Sequence, residues 1–259
     1  MKSAHLWQPS KYDYLHGKQP VRGSRDTAEL SPSSRLITDR VAQFYARVIP
    51  KYSRGDLLDL GCGKAPLYGL YRHYSDSTMC ADWENSLHEN ALLDEFVDLN
   101  MPLKLSSAQY DTIILSDVLE HVQDPMLLMR EVARMLKPGG FLLMNVPFMY
   151  WLHEIPHDYH RFTSFALERM CEVSGLEVKE LDAIGGAPEV LSDLLAKQLV
   201  QVPAFGGFIA AVIQWAANVF TSRSKVGRFL SEKTAATCPL GYALVAAKPM
   251  VGTAEIQKH

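Results

Sequence analysis

An α/β fold is what this sequence predicts: a doubly wound, mostly parallel sheet with helices on both faces and a helical insertion before the last strand. Three observations predict it. Short apolar runs alternate with stretches of helical periodicity from residue 33 onward, the order that builds parallel strands joined by crossover helices. Asp56-Leu-Leu-Asp-Leu-Gly-Cys-Gly63 carries an apolar run into a glycine turn, with a carboxylate two residues before the first glycine. A segment of about fifty residues parts the last two apolar runs, too long for an ordinary connection.

The elements follow in order. Residues 1–32 are polar and turn-rich, yet Trp7, Tyr12, Tyr14 and Leu15 are apolar enough for an arm that folds back as a lid. A helix begins near Ser33, with Leu36, Val41, Phe44, Tyr45 and Val48 along one face, and Pro50 is expected to end it. Next come a strand over 57–60, a helix over 67–74, and strands over 78–81 and 112–115. A helix over 125–136 sets Leu127, Leu128, Val132 and Leu136 at helical spacing, and Pro138-Gly-Gly140 is expected to break it before a strand over 141–146. The last two strands read as 176–181 and 242–247. This divides the chain into an arm (1–32), a core (33–185), a helical insertion (186–238), and a last strand with its tail (239–259).

Composition narrows the function classes. With 259 residues, 47% of them hydrophobic, the chain can bury one full core, and a net charge of -3 offers no global attraction to nucleic acid. No nucleic-acid partner is expected. Cys62, Cys80, Cys171 and Cys238 are widely spaced, contain no C-x-x-C and read as reduced core residues, while residues 1–10 lack the continuous apolar core of a signal peptide. A cytoplasmic protein is expected.

Within the insertion, residues 199–222 carry no charge. Phe205, Phe208, Ile209, Val212, Ile213, Trp215, Val219 and Phe220 fall on one helical face, and Gly206, Ala210, Gln214, Ala217, Asn218 and Thr221 on the other. Three readings are open for this segment. It packs within the fold or across a homodimer, it lies on a membrane surface or grips a lipid-like acceptor, or it spans a bilayer.

The glycine turn excludes two familiar phosphate sites. A dinucleotide fingerprint needs glycine where Pro66 stands, and a P-loop needs Ser or Thr where Ala65 stands. Gly61 and Gly63 let a ligand approach the backbone, which leaves a nucleoside cofactor without a pyrophosphate.

Asp59-Leu-Gly-Cys-Gly63, Asp82 at the next strand's end, Asp98-Leu99, Asp117-Val-Leu-Glu-His121 and Leu136-Lys-Pro-Gly-Gly140 occur in one order at ordinary spacings. Over residues 33–185 this series resembles the class I S-adenosylmethionine-dependent methyltransferases of the small-molecule type, which have a Rossmann-like fold. The resemblance implies S-adenosyl-L-methionine as cofactor. It places Asp59 near the cofactor's ammonium with Gly61 and Gly63 beneath it, Asp82 on the ribose hydroxyls, Asp98 and the Leu99 backbone on the adenine, and Ser116 at the end of the fourth strand. Ala65 departs from it, since many members carry a third glycine there. Glu120 and His121 have two readings, a structural cap or a catalytic pair.

His153-Glu-Ile-Pro-His157 matches the H-E-x-x-H zinc pattern in letters. Pro156 would break the helix that this motif needs, so no metal ligand is assigned. The stretch His153, Pro156, Asp158, Tyr159, Arg161, Phe162 and Thr163 is similar to an H-x-x-P-x-D-Y-x-R-[YF]-T loop. That loop marks a bacterial methyltransferase subgroup often associated with surface-polysaccharide and envelope metabolism. Methyl transfer from a sulfonium is an in-line displacement, so positioning supplies much of the acceleration, and a base is needed only for a hydroxyl or a protonated amine. The candidate catalytic residues are His153 or His157 as base, Asp158 orienting that imidazole, and Arg161 binding an anionic acceptor or holding the loop. The expected function is methyl transfer to a small molecule or to a glycan- or lipid-linked precursor. A cofactor-binding, inactive scaffold is the alternative, and a metalloprotease is a distant third.

Overall fold

The computed structural model of the chain describes residues 1–15, 20–84 and 90–250. Residues 16–19 of the expected arm and 251–259 of the expected tail lie outside the described residues. The arm forms an antiparallel hairpin, β1 (Tyr12–Tyr14) and β2 (Val21–Gly23), whose Tyr12 and Val21 pack with the first helix. That helix, α1, spans Arg35–Tyr52. Pro50 does not end it. A proline in an exposed last turn removes only one hydrogen bond, and the Ser53 amide still closes on the Ile49 carbonyl at 2.9 Å.

The sheet begins with β3 (Asp56–Leu60), followed by α2 (Tyr68–Tyr71), β4 (Ser77–Asp82), β5 (Glu95–Phe96) and β6 (Tyr110–Ser116). α2 is shorter than the expected 67–74. The Ser75 hydroxyl takes the Tyr71 carbonyl at 3.0 Å, a local alternative to another helical turn. α3 (Pro125–Met135) starts on Asp124, whose side chain accepts from the Leu127 amide, and leads directly into β7 (Leu136–Pro147). Pro138-Gly-Gly140 therefore lies inside a strand. The pairing jumps from Tyr110↔Leu136 to Thr112↔Phe141, and Gly139 takes a φ of +78° in the resulting irregularity, a setting that tolerates proline. α4 (Ser164–Val173) and β8 (Glu177–Ile184) follow, then α5 (Ala187–Leu199), α6 (Gly206–Arg223), α7 (Lys225–Thr234) and β9 (Gly241–Ala247).

The seven strands run in the order β5-β4-β3-β6-β7-β9-β8, parallel from β5 to β7, with β9 antiparallel to both of its neighbours. Strand alternation divides the core between the two faces. Leu58, Leu60, Ile113 and Leu115 face one layer with α3 and α4 residues, while Leu57, Ile114 and Leu143 face the α1 side. The chain reverses its direction of winding between β3 and β6, and a doubly wound sheet opens a ligand crevice at the carboxyl ends of such strands.

The insertion is mounted opposite to the usual sense of an amphipathic helix. Gly206, Ala210, Gln214, Ala217 and Thr221 of α6 are buried, whereas Phe205, Phe208, Val212, Trp215 and Phe220 are exposed. Small side chains let backbones approach closely: a Cβ on Gly206 would stand 2.4 Å from the Leu199 carbonyl oxygen. The buried polar residues supply hydrogen bonds, for Gln214 Oε1 accepts from the Leu36 amide at 2.7 Å in the first turn of α1 and Thr221 accepts from Arg40 at 2.9 Å. Among the described residues no helix is long and apolar enough to cross a membrane, which removes the bilayer-spanning reading.

Candidate cofactor and acceptor site

The glycine turn leaves β3 at the switch point. Gly61 and Gly63 have φ of +71° and +52°, and a Cβ on Gly61 would lie 2.6 Å from Val118 Cγ2. Gly61→Ala is therefore expected to cost about 2 kcal/mol from left-handed strain and displaced Val118, visible as a lower melting temperature and weaker S-adenosylhomocysteine binding by titration calorimetry. Ala65 also takes a positive φ, +47°, which accounts for the frequent glycine at that place. Its methyl is fully buried in a small cluster with Cys62 and Cys80, with Trp7 against it, and so takes no space from the ligand side.

Asp59 is 3% exposed and accepts a hydrogen bond from the Tyr71 hydroxyl at 2.8 Å. Burial pushes its carboxyl up to about 7; the Tyr71 bond opposes the shift and the charge of Asp82 adds to it. No ion pair to Asp59 forms among the described residues, so the folded chain itself supplies no charge to offset that of the ionised carboxylate. Asp82, at the end of β4, accepts from the Gly63 amide at 2.7 Å and from the Trp83 amide at 2.7 Å, which fixes the acid beside the turn. Asp98 is exposed and receives the Asn100 amide at 2.9 Å, the Leu99 side chain is buried, and the Ser116 hydroxyl donates to Asn145 Oδ1 at 2.9 Å. The switch point thus gathers Asp59, Gly61, Gly63, Asp82 and Ser116 at neighbouring strand ends, with Asp98 and Leu99 just beyond β5.

A polar hub beside them has little signal in the sequence. Asn145 is buried inside apolar β7, accepts from Tyr45 at 2.9 Å and donates to Asp117 Oδ1 at 2.6 Å, and Lys11 of the arm reaches Asp117 Oδ2 at 2.7 Å. Burial works against the Lys11 charge, yet Asp117 outweighs it and holds the ammonium protonated. Trp7 Nε1 donates to the Ala65 carbonyl at 2.9 Å and Tyr14 to that of Pro66, so the arm is tied to both sides of the switch point. The buried hydroxyls of Ser10 and Tyr12 in this arm have no hydrogen-bond partner among the described residues, which also fits a polar ligand in the crevice. A single asparagine in a run of apolar strand residues was the one available clue.

The acceptor loop follows β7. Residues 153–157 are not helical, so His153 and His157 do not face one ion as H-E-x-x-H requires. Instead, His153 turns toward Glu120, with its Nε2 3.7 Å from Glu120 Oε1 and its Nδ1 3.2 Å from Asp158 Oδ2. His121 joins them, its ring centre 4.7 Å from that of His153. His157 stands apart, with its Nδ1 3.2 Å from the Tyr159 hydroxyl and its ring against Trp83. Arg161 donates to both Asp158 oxygens and to the Trp151 and His160 carbonyls. Those bonds hold the guanidinium within the loop, the second of the two readings that the sequence leaves open for Arg161. Burial works against the Asp158 charge, but Arg161 and the His153 amide outweigh it and hold the carboxyl down to about 2. Burial raises Glu120, while His153 is raised because Glu120 outweighs its own burial.

The loop is also tied to the insertion. Lys197 and Asp193 of α5 form a fully buried ion pair, and the Lys197 ammonium lies 3.9 Å from the centre of the Tyr150 ring.

Comparison with known proteins agrees with this geometry. A family model described as a methyltransferase domain matches residues 34–181. The ubiquinone biosynthesis O-methyltransferase of Parvibaculum lavamentivorans is 26% identical over 216 residues, covering 72% of this chain and 81% of the relative. A SAM-dependent methyltransferase from Archaeoglobus fulgidus superposes with a TM-score of 0.51 at 18% identity, over 83% of this chain and 97% of that one. The [4+2]-cyclase SpnF does so with a TM-score of 0.51 at 17% identity, over 92% and 87%, so likeness at this level speaks for the fold alone. It is the match over more than half of the chain, joined to the order of acids along the switch point, by which the chain belongs to the methyltransferase-domain family as a class I S-adenosylmethionine-dependent methyltransferase.

Proposed function

We propose that this methyltransferase modifies a hydroxyl group of an amphiphilic small molecule or a glycan- or lipid-linked precursor at a membrane surface. The observation that carries the reading is the outward apolar face of the insertion. Phe208, Trp215 and Phe229 are 74%, 66% and 62% exposed, and Leu191, Leu195 and Val226 extend the surface. The exposed charges of the insertion are Arg223, Lys225, Arg228 and Lys233 against Glu232 alone, while Glu189, Asp193 and Lys197 are buried. Apolar anchors edged by cations suit an anionic lipid surface. Leu152 and Ile155 of the acceptor loop are exposed as well, and the Lys197–Tyr150 contact joins that loop to the back of the same helices.

S-adenosyl-L-methionine supplies the activated methyl group; a carbon–oxygen bond to the acceptor forms as the carbon–sulfur bond breaks, giving S-adenosylhomocysteine. Asp59 and Asp82 are the residues that would hold its ammonium and ribose, with the Gly61–Gly63 backbone under it. The hydroxyl proton must leave, and we assign its release to the site of the Glu120–His121–His153 cluster. His157, Asp158 and Arg161 support the cluster from the loop. The relatives named for ubiquinone O-methylation support an oxygen acceptor.

Incubating the pure protein with methyl-labelled S-adenosylmethionine and a cell-envelope extract tests this. Label should enter the organic phase, and Glu120→Gln should lower kcat about 100-fold with S-adenosylhomocysteine affinity retained. Label confined to water-soluble products would sink the amphiphilic acceptor, and cofactor binding without turnover in any fraction would favour an inactive scaffold.

A further inference from the structure

The Glu120–His121–His153 cluster has an unsatisfied geometry. Glu120 is fully buried on the 3-10 turn Leu119–His121 after β6, and neither of its carboxylate oxygens has a hydrogen-bond partner among the described residues. Its Oε1 lies 3.8 Å from His121 Nε2 and 3.7 Å from His153 Nε2, beyond hydrogen-bond reach in both cases.

The far side of the His121 ring settles which of its nitrogens carries the proton. His121 Nδ1 is 3.0 Å from the His157 carbonyl oxygen, which can only accept, so Nδ1 bears the hydrogen. His153 Nδ1 stands 3.2 Å from Asp158 Oδ2 without the geometry of a hydrogen bond, and neither it nor His121 Nε2 has a hydrogen-bond partner among the described residues. The His121 Nε2 lone pair therefore turns toward a buried carboxylate, and His153 Nε2 stands against the same oxygen. An imidazole lone pair and a carboxylate facing each other without a donor repel, and a cation between them removes the conflict.

We propose that Glu120, His121 and His153 bind one divalent transition-metal ion, with the acceptor hydroxyl completing its coordination. Imidazole nitrogen and carboxylate oxygen suit ions such as zinc or manganese, and three protein ligands leave positions open for a substrate. Ligands about 2.1 Å from a shared tetrahedral ion stand about 3.4 Å apart; the two Glu120–imidazole distances need to close by only a few tenths of an ångström, and all three ligand atoms already lie within 4.8 Å of one another. A backbone carbonyl on the distal nitrogen, as His157 supplies to His121, is a usual support of a metal-bound histidine. Glu154 Oε2, 3.7 Å from His121 Nε2 at the exposed rim, is a fourth ligand within reach. Coordination to the ion would make the acceptor hydroxyl more acidic, and its proton would pass to solvent as oxygen bonds to the methyl carbon. The role assigned to the ion rests on the methyl-transfer reading above, whereas the site itself does not.

The test is titration calorimetry of the chelator-stripped full chain with manganese or zinc chloride, alongside S-adenosylhomocysteine binding as a check of the fold. One equivalent should bind with Kd below about 10 μM. Glu120→Gln and His153→Gln should each weaken it about tenfold or more while S-adenosylhomocysteine still binds. Absence of binding by a folded protein, or unchanged affinity in both variants, would overturn the site. Methyl transfer that persists in stripped protein overturns the activating role and leaves the methylation reading intact. Cluster-dependent metal binding without methyl transfer in any fraction supports the site and counts against that reading.

Discussion

Phe208→Ser combined with Trp215→Ser is expected to release the protein from anionic phospholipid vesicles, with at least a 100-fold fall in partitioning measured by flotation. Both side chains are among the most exposed large apolar groups of α6. Their burial in a bilayer interface would contribute about 1.5–3 kcal/mol each, so losing both exceeds the 2.7 kcal/mol that a 100-fold change requires. The fold should tolerate the change, because α6 is held by Gly206, Ala210, Gln214, Ala217 and Thr221 on its opposite side. Charge reversal of Arg223, Lys225 and Arg228 should weaken binding further and reduce its dependence on salt, at about 1 kcal/mol per cation near an anionic surface. A wild-type protein that does not float, or a double variant that floats equally well, would defeat the membrane reading. Sedimentation distinguishes the homodimer: a dimer dissociated by the same two substitutions would assign the face to a second copy.

Asp59→Asn should stabilise the cofactor-free protein while impairing cofactor binding. A carboxyl raised to about 7 by burial keeps a proton in the folded chain that the unfolded chain has already lost above pH 4. Its favourable contribution is complete below about pH 4 and falls as the pH rises to about 7, so above neutrality the folded protein bears the full cost of a buried charge. Asparagine keeps an acceptor for Tyr71 and removes the charge. At pH 8 we expect a gain of about 2 kcal/mol, or about 5 °C in Tm for a chain of this size. The ammonium of the cofactor then loses its partner, and affinity for S-adenosylhomocysteine should fall about 10- to 100-fold. Wild-type affinity should also weaken below pH 7 as Asp59 takes up a proton, and the variant should lack that pH dependence. An unchanged Tm together with unchanged affinity would show that the ammonium lies elsewhere.

Legibility differed between the two halves of the site for a physical reason. The cofactor side depends on backbone conformation and strand ends, and these have short-range signatures: Gly61 and Gly63 mark the turn, while Asp59 and Asp82 sit at the ends of apolar runs. The acceptor side depends on contacts between residues far apart in the chain. Glu120 meets His153, Lys11 meets Asp117, and Lys197 meets Tyr150, none of which periodicity or spacing can pair. The same distinction explains the boundary corrections. Pro50 and Pro138 obey their local preferences only where tertiary packing does not set the backbone, and the β6–β7 pairing carries the strand through Pro138.

The sequence by itself determined the doubly wound sheet, the glycine turn, the nucleoside-type cofactor and the two faces of α6, since each follows from local periodicity or from one residue's steric freedom. Only the tertiary structure decided which face of α6 turns outward, that His153 joins Glu120 and His121 rather than His157, and that Arg161 is held within the loop. Those choices rest on close packing of small residues and on long-range hydrogen bonds, which no short stretch of the chain encodes.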